Sequence, residues 1–416
     1  NNNITKTGHY GIWIKSLGLN GIDSIKNNKI ELRNCNFEYT GGSGFVPNKS
    51  SNILVENCVF NHTGSDIDSR MWKRGSGMWP FDSKNVVAQN NKFMNAHGPQ
   101  DSYGAHIDFG NENVVFQYNF SYNNEGGFVE ILGDNINCGY RYNISVNDGY
   151  RVDPNNNQWD KKGKIFWVGN FCGNNQTRCP STGTFIYNNT IFVNDTLNPE
   201  IYFWPNIGDV HVYNNLIYVG SNGNKIPTLI SNTLNTLDIS HNIFYDSSRI
   251  NLDNDLLNNA LFLNPQMMNS SILGVNNPMA YKVQTNSPAI GSGRLINGST
   301  DTTNYLNNNG GKDYFGNSIS NFDPPSIGAF NEELMNSINF FEDNSLTYFP
   351  SPTIDKVYLF FKDYNGLVET DIYDIKGQYI GHCAGEVISL INLKKGIYIL
   401  KVKLEKEIKE LRVLKL

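Results

Sequence analysis

Residues 30–244 repeat a degenerate pattern, apolar-x-apolar-x-Asn-Asn-x-Phe/Ile. Its copies are Ile30–Phe37, Ile53–Phe60, Val86–Phe93, Val114–Ser121, Gly139–Ile144, Phe185–Ile191, Val210–Ile217 and Leu237–Phe244. Alternating apolar positions predict short half-buried strands, and the Gly- and Asn-rich stretches between them predict turns. No stretch keeps helical periodicity long enough for a crossover helix. The copies align on Cys35, Cys58, Asn91, Asn119, Asn143, Asn189, Asn215 and Asn242, with spacings of 23, 33, 28, 24, 46, 26 and 27 residues. Most fit one solenoid coil of about 20–30 residues. Parallel strands stacked without helices predict an all-β solenoid. At its turns, an aligned Asn should tolerate a left-handed backbone and bond to its equivalent one coil away. Asn-rich disorder is the competing reading, as is a run of glycosylation sequons such as Asn61-His62-Thr63. A content of 12% aromatic and 39% hydrophobic residues argues against disorder.

The two longest spacings mark insertions at Ser65–Gly75 and Asp148–Pro180, which should emerge as loops on one face and wall a cleft. From about Leu261 the repeat gives way to Ser287-Pro288-Ala289-Ile290-Gly291-Ser292-Gly293, Asp313-Tyr314-Phe315-Gly316 and Pro325-Ser326-Ile327-Gly328-Ala329-Phe330. This trio resembles the closing segment of secreted bacterial β-helix proteins, with Gly291 and Ser326 standing where Asp is usual. It implies a C-terminal cap over about 262–331 and no site. Repeat and cap together resemble the pectate-lyase-like superfamily, which implies a right-handed single-stranded parallel β-helix and a carbohydrate ligand. Beyond a linker at 332–347 lie Tyr348-Phe349-Pro350-Ser351-Pro352-Thr353, Val368–Gly377, Leu390–Leu400 and a basic end, Lys401–Leu416. These motifs, in this order, resemble the type IX secretion sorting domain of Gram-negative bacteria. The resemblance implies a small C-terminal β-sandwich over 348–416, contact with the secretion machinery, and a secreted or cell-surface protein. The first residues already read as repeat and lack an initiator Met, so further N-terminal coils are expected.

Charge narrows the partners. Charged residues are 17% of the chain, the net charge is −6, and no basic block precedes the last thirty or so residues. Phosphate neutralisation needs clustered Lys and Arg, so nucleic acid is not expected. No apolar run approaches the roughly 20 residues of a spanning helix. A monomer is expected. Of the six cysteines (Cys35, Cys58, Cys138, Cys172, Cys179, Cys383), none forms a C-x-x-C pair; Cys172 and Cys179 are either a loop disulfide or two free thiols.

Against the Asn background, charge concentrates between Arg70 and Asp153. In Ala105–Phe109, apolar Ala105, Ile107 and Phe109 should point inward, which turns His106 and Asp108 outward. Val129 and Ile131 inward would likewise turn Glu130 outward. Counting back from the following ladder strands aligns Met78, His106 and Glu130 on neighbouring coils. Asp108 and Glu130 could then be the two carboxyl groups of glycoside hydrolysis, with His106 holding a proton. Glu130, approached by Gly126-Gly127-Phe128, is assigned as the acid, and Asp108 as base or nucleophile. Asp101 and Glu125 flank the patch. Arg70, Lys73, Arg74 and Arg151 could pair with acidic groups of a glycan. Trp72 and Trp79 could stack on sugar rings, as could Trp159, Trp167 and Trp204, although apolar strands around Trp167 and Trp204 favour burial for at least one of them. The leading expectation is a secreted glycoside hydrolase. Alternatives are a polysaccharide lyase or epimerase, with His106 or Tyr103 as base, and a non-catalytic glycan binder. No cofactor is expected; Ca²⁺ enters only with the lyase, and no Asp-rich loop has convincing calcium spacing.

Overall fold

A computed structural model describes residues 2–16, 27–152, 162–174, 177–231, 236–296, 306, 308–332, 346–349, 353–361, 366–404 and 408–416. The chain divides into two compact units, Asn1–Glu333 and Leu334–Leu416. Among the described residues, helical geometry is confined to four short 3₁₀ turns.

The first unit is a coil with three parallel faces, because each turn of chain gives one strand to each sheet. One sheet has nine strands, from Asn2–Thr5 to Ile243–Tyr245, and a second has eight, from Asn27–Arg33 to Thr236–Ser240. The third face begins with Ile12–Lys15 and Phe45–Asn48 and continues through single bridges at Met78, Ala105 and Ile107. It ends in a four-stranded sheet, Gly127–Ile131, Lys164–Val168, Glu200–Phe203 and Thr228–Ile230. Inside the coil, like stacks on like: the rings of Phe37, Phe60 and Phe93 are 4.7 and 4.9 Å apart.

The aligned asparagines form a buried ladder. Backbone N–H groups of Cys58, Asn91, Asn119, Asn143, Asn189 and Asn215 each donate to the side-chain oxygen of the next Asn, at 2.8–3.1 Å. Each bond satisfies an amide at a turn where the strand ladder is interrupted. The expected division of labour is corrected in one respect. The left-handed residue precedes the ladder Asn (Asn90, Tyr118, Tyr142, Asn188, Asn214), so a neighbour makes the turn while the ladder Asn makes the bonds. A second corner carries Ser83, Asn111, Asn135 and Ser181, and a third carries Asn124 and Asp148. The structure contains the Cys172–Cys179 disulfide, while Cys35, Cys58 and Cys138 are buried free thiols.

The segment after Leu261 does not simply close the end of the coil. It turns back along the outside, where Tyr118 Oη donates to the Gly310 carbonyl, Asn188 to the Ser326 carbonyl, and Arg141 to Asn308. Ile296, Leu306 and Ile319 cover the outward tyrosines 118, 142, 187 and 213, while Tyr281 and Ala329 cover Phe120 and Phe192. Two sides of the coil are thereby clothed and the third is left open. The two residues that stand in place of Asp meet each other, the Gly291 N–H lying 3.4 Å from Ser326 Oγ.

In the second unit, Leu346–Phe349, Lys356–Phe361 and Val387–Ser389 form one antiparallel sheet. Tyr379–Ala384, Glu369–Asp374, Gly396–Lys403 and Ile408–Lys415 form a second. A common core of Val357, Leu359, Ile372, Leu400, Val402 and Val413 joins them. In the Ile372–Gly377 motif, Asp374 accepts from the backbone of Lys376 and Gln378, closing the turn that Gly377 makes at positive φ. The first strand begins at Leu346, two residues before the expected start; the linker expected at 332–347 falls mostly outside the described residues, as does Pro350-Ser351-Pro352.

Candidate active site

On the open face, alternation sends one residue in two outward, and parallel register lines these up from coil to coil. One outward column reads Trp13, Val46, Trp79, His106, Glu130, Trp167, Tyr202, Leu229. The next, two positions on, contains Asn48, Phe81, Asp108, Leu132, Gly169 and Trp204. Inward, Ala105, Ile107, Val129 and Ile131 join the core as expected. Met78 also points inward and is fully buried, so it is Trp79 that aligns with His106 and Glu130. The expected alignment was off by one, and a one-residue shift exchanges the two faces of a strand. Phe109 is not a core residue either; it packs outside, against Phe81 and Phe171.

His106, Asp108 and Glu130 lie together at the base of a cleft of about 410 Å³. Arg74 lines it from the insertion at 65–75, and Gln100 and Asp101 from a loop one coil along; Phe171, Asn174 and Arg178 line it from in and beside the disulfide-closed loop, alongside Trp167 and Trp204. His106 and Glu130 are almost fully buried, at 2% and 1% exposure, so outward here means into the cleft base rather than into bulk water. An interior tyrosine braces both strands: Tyr140 Oη donates to the Ala105 carbonyl at 3.0 Å and lies 3.4 Å from that of Glu130.

His106 Nδ1 is 2.9 Å from Ser76 Oγ and 3.8 Å from Glu130 Oε2. Ser76 Oγ also accepts the Tyr103 N–H at 3.1 Å, and its remaining lone pair and its hydrogen can serve either tautomer of the ring. Burial lowers the His106 pKa to about 4, with Arg74 adding to the shift and Asp101 opposing it, so the ring is neutral near pH 7. Asp108 moves the other way. Burial raises its pKa to about 7; the charges of Asp101 and Asp82 add to this, and the Phe109 N–H and Arg74 oppose it. Burial also pushes the Tyr103 phenol well above its ordinary range, with Glu130 adding to it. Among the described residues, no group of three or more His, Cys, Asp or Glu is placed to hold a metal ion.

The remaining expected site residues divide. Asp101 lines the cleft, and its carboxylate is paired with Arg74. Arg151 also lines it but is committed inward: it pairs with Glu125 at 3.1 Å and donates to the carbonyls of Gly98 and Gln100 and to Ser102 Oγ. Glu125 is outside the lining. It accepts from His97 at 2.6 Å and from the Gly98 N–H at 2.8 Å, and burial, which favours protonation, is outweighed by these bonds, leaving its pKa lowered. Glu125 and Arg151 therefore clamp the loop that carries Gln100 and Asp101. Arg70 pairs with Asp68 on the exposed surface, away from the cleft. Trp72 and Trp79 also stand outside the lining, Trp72 stacked on His9 and Trp79 on His106. Trp167 and Trp204 are half-buried and both face the cleft, so neither is purely a core residue. Asp153 and Trp159 lie outside the described residues. The sequence reading missed Phe171, Asn174 and Arg178; the adjoining Cys172–Cys179 pair was the available signal.

Comparison with known proteins agrees with the architecture. Residues 1–178 match the family described as right handed beta helix region, and residues 347–414 match the secretion system C-terminal sorting domain. None of the curated proteins matches the chain. Among solved structures, one described as the crystal structure of pectate lyase Pel9A is similar over 73% of this chain and 73% of its own, with 12% identity and a TM-score of 0.36. That likeness is too loose to carry chemistry. The first unit is a right-handed parallel β-helix, and the second is a type IX sorting domain that directs export to the cell surface or medium of a Gram-negative bacterium.

Proposed function

We propose that this secreted right-handed β-helix protein is a glycoside hydrolase whose general acid is Asp108. The observation that carries the reading is a carboxyl group with a pKa of about 7 at the base of a cleft lined by Trp167, Trp204 and Phe171. Hydrolysis of a glycosidic bond requires a protonated carboxyl to deliver a proton to the leaving oxygen and a second carboxylate to attack or to activate water. Asp108 retains its proton near neutrality because burial and the Asp101 carboxylate disfavour a further charge. Asp101, ion-paired with Arg74, keeps that influence in place. Glu130, one coil along, is the second carboxyl group of the pair, and neutral His106 beside it offers a hydrogen bond to a substrate hydroxyl or to the attacking water. This reading gives Asp108 the acid's role, whereas the sequence assigned that role to Glu130. Tryptophan rings give a sugar's apolar faces a surface, while Gln100, Asn170 and Asn174 provide amide groups for its hydroxyls.

Asp108→Asn and Glu130→Gln keep shape and remove the proton chemistry. Each is expected to lower turnover by roughly 10²–10⁴-fold, measured as new reducing ends released from polysaccharides. Near-wild-type rates in both variants would refute the assignment.

Elimination from a uronate glycan is the second reading, favoured by Arg178. Its guanidinium lies over the Phe171 ring at the cleft and makes no ion pair with a described residue, so it is available to a substrate carboxylate. His106, held neutral, would then take the proton. Unsaturated, ultraviolet-absorbing products in place of saturated reducing ends would select this reading.

A further inference from the structure

We propose that Tyr10, Trp13 and Trp72 form a distal sugar-binding platform that holds the stretch of one long glycan chain projecting beyond the cleft. The inference rests on the cleft being a carbohydrate site, and it makes the substrate a polymer rather than a short saccharide. Trp13 and Trp72 are 48% and 42% exposed, an unusual state for two indoles so close together. Tyr10 joins them, its ring centroid 5.2 Å from Trp13, 5.7 Å from Trp72 and 6.3 Å from Trp79. His9 backs the group, stacked on Trp72 at 4.2 Å.

Continuity with the cleft identifies the occupant. Trp13 and Trp79 belong to the same outward column as His106 and Glu130, and Trp79 stacks on His106 at 5.5 Å. Three coils separate Trp13 from His106, about 14 Å at about 4.8 Å per coil. Arg74 bridges the two regions, since it lies over the Trp72 ring at 5.3 Å and pairs with Asp101 in the cleft. The Tyr10 phenol also feels the charges of Arg74, Asp101 and Asp108. A chain leaving the cleft past Arg74 would reach the aromatic platform. Flat rings with polar rims suit pyranoses, which have apolar faces and hydroxyls at their edges.

The test uses the full chain with Asp108→Asn and a panel of soluble plant and algal polysaccharides, read as retardation in native gels. On a retained polymer, Trp13→Ala and Trp72→Ala should each weaken binding at least fivefold, and Trp13→Phe should restore most of the loss. In the otherwise wild-type chain, the ratio of kcat/KM for polymer to that for the shortest cleaved oligosaccharide should fall by a similar factor. Unchanged retardation, or equal loss on polymer and oligosaccharide, overturns the platform. So does a change in oligomeric state caused by Trp13→Ala, which would mark the patch as a contact between copies. Retention of no polysaccharide overturns both this inference and the hydrolase. Cleavage by Asp108→Asn at the wild-type rate overturns only the acid assignment, because retardation still reads the platform.

Discussion

If Asp108 is the acid, replacing it with Asn removes a proton donor and a half-buried charge together, so turnover and stability should move in opposite directions. Its folded pKa of about 7 lies above the ordinary 3.8, so between those values the folded protein holds a proton that the unfolded chain has released. Stability from this group is full below about 4, falls as pH rises, and is lost above about 7. Asp108→Asn should therefore raise Tm at pH 8, by the equivalent of about 1–3 kcal/mol, and leave it nearly unchanged at pH 4, measured by thermal unfolding at both pH values. Turnover in the wild type should decline as pH rises through about 7 for the same reason. Glu125→Gln tests a different link: it weakens the clamp on the loop that carries Asp101 without touching the cleft. About ten- to hundredfold of kcat/KM should be lost, with the alkaline limb of the pH profile moving as Asp101 shifts relative to Asp108. At this scale the shared outward placement of His106, Asp108 and Glu130 was legible in the sequence, because strand alternation is local. It did not show which arginines were already engaged; the pairs Arg151–Glu125 and Arg74–Asp101 join positions 26 and 27 apart, across coils.

Among the elements, the ladder is the strongest structural commitment. Asn119 accepts from the Asn91 backbone and side chain while its own amide donates to Asn143 and to the Ala88 carbonyl. Asn119→Ala should cost about 2–4 kcal/mol, read as a lowered Tm, since it strands buried partners on both neighbouring coils. The repeat that predicted this ladder was legible because each rung must be small, polar and recurrent. The loops that wall the cleft were not, because an insertion announces its length and not its path. The disulfide-closed loop is one such case. Cys172→Ser with Cys179→Ser should lower Tm modestly, by the equivalent of about 2–3 kcal/mol for so short a closed loop, and raise KM severalfold by freeing Phe171, Asn174 and Arg178. The segment after Leu261 shows the same limit: its motifs announced an ending, whereas its path back along the coil depends on tyrosines contributed by four different turns.

For the whole molecule, separate cores imply separable tasks. A chain ending at residue 333 should keep the thermal transition and the turnover of the coil while remaining inside the cell, as fractionation of the producing bacterium would show. The coil itself is close to one-dimensional, each turn touching only its neighbours apart from the segment folded along its outside. Its rungs are unequal: between Cys35 and Cys58 a backbone N–H meets sulfur at 3.4 Å, whereas every later rung of that corner meets an amide oxygen. Under tension applied at its two ends, such a molecule should yield like a zip fastener. The thiol rung should part first, and chain should then be released in steps of 23 to 46 residues as each amide rung gives way.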